Sequence, residues 1–337
     1  MSRPFLTVLT TPIQSTPVRA YRGVRRLVRA VVKPGVPLPE SSPYPGHFAL
    51  VRSVVEGLRE IEADFTFNPT SFGDLARVVY APANEALRQA ADLKRGGVID
   101  YLVAGPVNAL FADECDRILQ LPEIDLLIVP SGWTRSFYRE VPALAAKSRV
   151  CTCGVDAGYW QPTGRAKDRA VVVYWKSGDE GVCGAVEAVI RECGFDPLRI
   201  RSKPGEHRMF TPADYREALD RSVAAVFLSS FETQGIALAE AWSMDVPSVV
   251  WDPRGESEWR GRTFRAGSSA PYLTSATGMA FVRLEELKPV LDKTLAALDS
   301  FQPREWVLAN MTDAVCSRRL YELIKDEAGR VLSGADL

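Results

Sequence analysis

Two glutamates, Glu232 and Glu240, bracket the turn Thr233-Gln234-Gly235 and the start of a helix-like run, Ile236-Ala237-Leu238-Ala239-Glu240-Ala241-Trp242. A strand-like run, Ala225-Val226-Phe227-Leu228, precedes them, and Val246-Pro247 opens another after them. A helix that begins near Gly235 aims its first free N–H groups, and the positive end of its dipole, at whatever lies above the carboxyl end of the preceding strand. Such an end binds phosphate. Glu240 then stands about 7 Å along the axis from Gly235, at 1.5 Å of rise per residue, while Glu232 stays in the loop beside the anion. Carboxylates repel phosphate but accept hydrogen bonds from hydroxyls, so a phosphate cradle between two of them suits a ligand with polyols on either side. A nucleoside diphosphate sugar is such a ligand. The same spacing also fits a plainer arrangement, with Glu232 capping the helix and Glu240 in solvent.

The elements that must position these residues follow from hydrophobic periodicity. From about residue 65 the chain alternates short β-rich runs with longer amphipathic stretches, the pattern of parallel sheets covered by helices. Strands are predicted at 64–68, 77–80, 101–104 and 126–129, then at 170–174, 198–201, 225–228 and 247–251. Their near-continuous Val, Ile and Leu content suits strands buried on both faces. The stretch Cys153-Gly154-Val155-Asp156-Ala157-Gly158-Tyr159-Trp160-Gln161-Pro162-Thr163-Gly164 breaks the periodicity and is read as a hinge. Residues 1–153 are therefore expected to form one Rossmann-like domain and 154–303 a second. The run 304–337 is expected to form helices that pack back on the first.

The segment from Ser229 to Val246-Pro247, with its Glu240-Ala241 pair, resembles the Glu-x7-Glu signature of retaining GT-B glycosyltransferases of the family-four type. Gly154-Val155-Asp156, followed by Tyr159-Trp160 and Pro162, is similar to the domain junction of that family. The resemblance covers roughly residues 125–252 and implies two doubly wound α/β domains of the GT-B type facing a central cleft, the first on the acceptor side and the second binding the donor. It implies that Glu232 contacts the donor sugar, that Glu240 holds the ribose diol, and that amides around Thr233, Gln234, Gly235, Ile236 and Ala237 meet the diphosphate. A basic residue after the first strand of the second domain completes the clamp, a place held here by Lys176, with Arg201 and Lys203 as second choices. The loop carrying Gly46 and His47 is the candidate for the first-domain glycine loop, although His47 also suits a helix cap. His207 falls where the nucleobase is expected, or is equally a structural loop residue. No metal or cofactor is expected, and the acceptor is a glycan or a lipid-linked hydroxyl. Two departures stand out: the loop reads Glu232-Thr233-Gln234-Gly235 where the family often has Glu-Gly-Phe-Gly, and Ala104-Gly105-Pro106-Val107-Asn108 offers no first-domain His. They keep open a sugar-nucleotide-binding protein without transfer, and a sugar-nucleotide epimerase is the other GT-B alternative.

Composition sets outer bounds. The chain has 337 residues, 46% hydrophobic and 25% charged, values of a globular protein large enough for two domains. A formal charge of −1 gives no field to hold nucleic acid. That charge is uneven, since residues 1–39 carry seven Lys or Arg and no acid, leaving −8 on the remainder. Apolar positions recur at helical spacing from Val18 to Val31 with arginines between them. This stretch, 18–33, is read as a helix packed on the first domain, because Gly23 weakens an isolated helix; the alternative is peripheral contact with an anionic membrane. No apolar run is long enough to span a bilayer, and the opening residues do not resemble a secretory signal. The six scattered Cys read as reduced thiols, which places the protein in the cytoplasm. No Gly-x-Gly-x-x-Gly follows an early strand, which disfavours a dehydrogenase.

Overall fold

The computed structural model describes residues 3–14, 48–201 and 210–334. Its elements begin with β1 (Leu6–Val8), α1 (Phe48–Glu60), β2 (Phe65–Phe67), β3 (Val78–Ala81), α2 (Asn84–Arg95), β4 (Tyr101–Ala104), β5 (Leu126–Val129), α3 (Gly132–Ser136), α4 (Pro142–Lys147) and β6 (Ser148–Val150). There follow β7 (Ala170–Trp175), α5 (Glu180–Glu192), β8 (Asp196–Arg201), α6 (Pro212–Arg221), β9 (Ser222–Leu228), α7 (Ile236–Ser243) and β10 (Ser248–Trp251). The last elements are β11 (Glu256–Trp259), β12 (Arg262–Arg265), β13 (Gly278–Phe281), α8 (Leu287–Ala296), α9 (Pro303–Asn310) and α10 (Asp313–Gly334). The chain divides into two compact units: Met1–Val129 with Phe137–Cys151 and Ser317–Leu337, and Pro130–Ser136 with Thr152–Cys316.

In the first unit six strands lie parallel in the order β2-β1-β3-β4-β5-β6. Parallel neighbours need crossover connections, and α2 supplies one by burying Ala86, Leu87, Ala90 and Ala91 at helical spacing. Thr7 is fully buried in β1, and its hydroxyl is satisfied by accepting the Ala76 N–H at 2.9 Å. Helix α10 joins this unit through Leu320, Ile324 and Ala328, one buried stripe, and Ser317 donates to carbonyls of α1.

In the second unit five strands lie parallel in the order β13-β10-β9-β7-β8. Alternate residues of β7 explain its uninterrupted apolar run. Val172 and Tyr174 face Tyr215 and Leu219 of α6 and Leu238 and Trp242 of α7, while Val171, Val173 and Trp175 face Val186 and Ile190 of α5 and Leu287 and Leu291 of α8. Helices therefore cover both faces, as a doubly wound sheet requires. Strand order reverses between β7 and β9, which makes their carboxyl ends the place where such sheets bind ligands. Between β10 and β13 the chain carries an antiparallel hairpin, β11 on β12, turned by Arg260 and Gly261 at φ 51° and 75°, the paired left-handed residues of a type I′ turn.

Candidate active site

Trp175 and Leu228 are register partners at the ends of β7 and β9, so the loops after these strands leave side by side. The N–H groups of Lys176 and Ser177 both donate to the Leu228 carbonyl at 2.9 Å, which folds the first loop over the second. Lys176 Nζ then donates to Glu232 Oε1 at 2.7 Å. Ser229 Oγ lies 3.0 Å from the same oxygen, and Ser177 and Ser230 pair their hydroxyls at 3.2 Å. The side chains of Lys176 and Glu232 keep 31% and 17% of their surface in solvent, so an incoming group can reach both.

Glu232 is fixed through its backbone on two sides. Its N–H donates to the Ser268 carbonyl at 3.1 Å, and its carbonyl accepts the Trp133 indole N–H at 2.9 Å. Ser269, in turn, donates its hydroxyl to the Ser229 carbonyl at 2.6 Å and its N–H to Asp252 Oδ1 at 2.7 Å. Asp252 directly follows β10 and is buried, so its carboxylate anchors the serine turn that anchors Glu232. Gly267 permits this contact, because a Cβ there would lie 2.5 Å from Trp133.

Helix α7 begins at Gly235, the N-cap, with φ 82° and ψ 56°; no side chain caps the helix. An L-residue is strained in that conformation, and its Cβ would also press within 3.0 Å of Leu238. Ile236 and Ala237 are half-buried in the first turn. The fully buried Tyr215 donates from its hydroxyl to the Ala237 carbonyl at 2.9 Å and supports that turn from below. Burial, with smaller contributions from Tyr174 and Glu240, raises the Tyr215 phenol well above its ordinary range, so it stays a donor.

No family model matches the chain, and no curated protein matches it by sequence. Solved structures do share its architecture. HepE of Anabaena, in complex with UDP and glucose, superposes at a TM-score of 0.57 with 12% identity, covering 96% of this chain and 100% of that one. Sucrose-phosphate synthase from Thermosynechococcus elongatus gives 0.54 at 14% identity, over 99% and 100% of the two chains. The catalytic domain of starch synthase IV from Arabidopsis thaliana, bound to ADP and acarbose, gives 0.54 at 8% identity over 76% and 74%. These neighbours are GT-B glycosyltransferases, and the expected fold class, α/β with two parallel doubly wound units of the GT-B type, is what the chain has.

The structure brings Lys176, Glu232, Thr233, Gly235, Ile236 and Ala237 together at the β7/β9 switch point. Glu240 lies further along α7, half-buried. Arg201 ends β8, the strand flanking β7, with its guanidinium 5.1 Å from the centre of the Trp175 ring. Gln234 is buried and its amide is occupied with the backbone of Cys153, accepting from N at 3.1 Å and donating to O at 2.8 Å. It anchors the loop. Gly46, His47, Lys203, His207 and the stretch 18–33 lie outside the described residues. Among the described residues no helix is long and apolar enough to cross a membrane. The junction motif has a packing reason: a Cβ on Gly154 would sit 2.3 Å from the Thr312 carbonyl, and Asp156 Oδ1 accepts the N–H groups of Gly158 and Tyr159. Sequence reading missed Trp133, Tyr215, Asp252 and the serines at 268 and 269. Of these Asp252 carried a signal, an acid directly after a buried strand.

Proposed function

We propose that the chain transfers a sugar from a nucleoside diphosphate sugar to an acceptor hydroxyl with retention of anomeric configuration, as an enzyme of the family-four type. The observation that carries this reading is the meeting of Lys176 and Glu232 at the β7/β9 switch point, beside a helix whose N-cap is a left-handed glycine. The ligands of two neighbours, UDP with glucose on HepE and ADP with acarbose on starch synthase IV, support the same ligand class here.

In this reading the pyrophosphate rests on the N–H groups of Ile236 and Ala237 and on the Lys176 ammonium. An ammonium has three donors, and one is given to Glu232, so two remain for phosphate oxygens. Glu232 Oε1 takes Lys176 and Ser229, which leaves Oε2 to accept a donor-sugar hydroxyl. Glu240 accepts from the ribose diol. Arg201, Lys203 and His207 are assigned to the nucleotide, and Gly46 and His47 to the donor phosphate or the acceptor. The bond from the anomeric carbon to the phosphate oxygen breaks as the acceptor oxygen bonds to that carbon from the same face. The acceptor proton passes to the departing phosphate, whose growing charge Lys176 and the helix amides stabilise.

A thermal-shift screen of UDP, GDP and ADP, followed by incubation with the matching nucleotide sugars, tests the reading. One diphosphate should stabilise the protein, its sugar should be slowly hydrolysed, and Glu240→Ala should remove most of the shift. Stabilisation without any turnover would point instead to a binding protein that does not transfer. An undiminished shift in the variant would refute the role given to Glu240.

A further inference from the structure

The segment Pro130–Ser136 belongs to the second unit, although the strand before it, β5, belongs to the first. Two side chains fasten it. The Tyr272 hydroxyl donates to the Pro130 carbonyl at 2.5 Å, and Thr134 Oγ1 donates to the Ser131 carbonyl at 2.8 Å while accepting the Ser131 N–H at 3.2 Å. Between them stands Trp133, half-buried, with its indole held on three sides. The indole N–H donates to the Glu232 carbonyl at 2.9 Å, and the ring meets Phe231 edge to face at 6.3 Å. Gly267 closes the third side: a Cβ there would lie 2.5 Å from Trp133 Cβ and 2.8 Å from its Cγ. Packing on Gly267 asks only for a ring, whereas the hydrogen bond asks for an indole.

That bond completes a clamp on one residue. The Glu232 N–H is already held by the Ser268 carbonyl, so with Trp133 on its own carbonyl both peptide planes around its Cα are fixed, and with them its φ and ψ. Its side chain then has Oε1 taken by Lys176 and Ser229, which leaves Oε2 a single direction to face. The amides of Ile236 and Ala237 depend on other supports. Gln234 ties the intervening loop to the backbone of Cys153, and Tyr215 holds the Ala237 carbonyl. A shift of the Glu232 backbone is therefore separable from the first turn of α7.

We propose that Trp133 is a positioning residue that sets the Glu232 carboxylate for the donor sugar and takes no share in holding the diphosphate. The role rests on the donor reading above. The full chain, Trp133→Phe, Gly267→Ala and the double variant are compared in two measurements. One is the Kd of UDP, GDP or ADP, whichever stabilises the parent; the other is kcat/KM for hydrolysis of the sugar of that nucleotide which the parent turns over fastest. Trp133→Phe keeps a ring on Gly267 and removes the donor, so the diphosphate Kd should stay within about twofold while kcat/KM falls about tenfold. Gly267→Ala drives the indole off the carbonyl with its N–H intact and should give the same split. In the Trp133→Phe background it should cost less than about twofold more, because the bond it acts through is already gone. Unchanged kcat/KM in Trp133→Phe, an equal loss of diphosphate binding, or full additivity of the two substitutions would each overturn the proposal. A parent that binds none of the three diphosphates would overturn the donor reading and this role with it. A parent that binds one but hydrolyses no sugar would overturn transfer alone; the role of Trp133 is then decided by the same split between nucleotide-sugar and diphosphate affinities.

Discussion

Lys176 and Glu232 sit 56 positions apart, and what joins them is strand order. Each was singled out for a chemical reason, a cation for a diphosphate and a carboxylate for a hydroxyl. That they would share a hydrogen bond was not legible, because only the adjacency of β7 and β9 creates it. Trp133 is the extreme case: its indole fixes the Glu232 carbonyl from 99 residues away, and nothing local marks it. Gly235, by contrast, was readable, since a turn feeding a helix from a strand favours a residue that tolerates positive φ. Gly235→Ala is expected to cost about 1–2 kcal/mol from the left-handed backbone, with added crowding against Leu238. Differential scanning calorimetry should show a fall of roughly 3–6 °C in the second unit, and nucleoside diphosphate stabilisation should weaken with it.

Elements divide by burial. The eight expected strands are present within a few residues of their predicted limits; β3, β4, β5 and β7 are buried throughout and tolerate no polar interruption, whereas the edge strands β2 and β8 are only partly buried. β1, β6 and β13 went unread, being three or four residues long and containing Thr7, Ser148 with Arg149, and Gly278. The hairpin was also unread, since it buries only Ser257 and Phe264, one residue from each strand. Helix α7 was legible as a helix, but its support was not. Tyr215 reaches it from α6, so Tyr215→Phe should keep the packing and lose one hydrogen bond, about 1 kcal/mol. A lowered urea midpoint at unchanged slope checks this, and a few-fold loss of nucleotide affinity is expected if the first turn of α7 holds the diphosphate.

At the scale of the molecule, the passage between units at Cys151 and Thr152 lies beside the glycine-rich junction. Asp220 of the second unit fastens the stretch after that junction by accepting from Thr163 N at 2.9 Å and Oγ1 at 2.5 Å. Burial pushes its carboxyl up, but those hydrogen bonds, with Lys167 and Arg216 nearby, hold it below its ordinary value of 3.8. A carboxyl lowered on folding stabilises the protein above the unfolded value, and that contribution disappears as pH falls through the folded one. Asp220→Asn should therefore be less stable than the parent by about 2 kcal/mol near pH 7, with the gap narrowing below about pH 4. Denaturation across pH 3–7 reads this directly, and a gap independent of pH would assign the effect to shape instead of charge.

The central claim is that a pyrophosphate lies where β7, β9 and α7 converge. A crystal structure of the protein soaked with UDP, GDP or ADP, chosen by thermal shift, tests it most directly. The account predicts phosphate oxygens about 3 Å from the N–H groups of Ile236 and Ala237 and from Lys176 Nζ, with the ribose at Glu240. Diphosphate density elsewhere on the protein, with the Gly235 turn untouched, would contradict it.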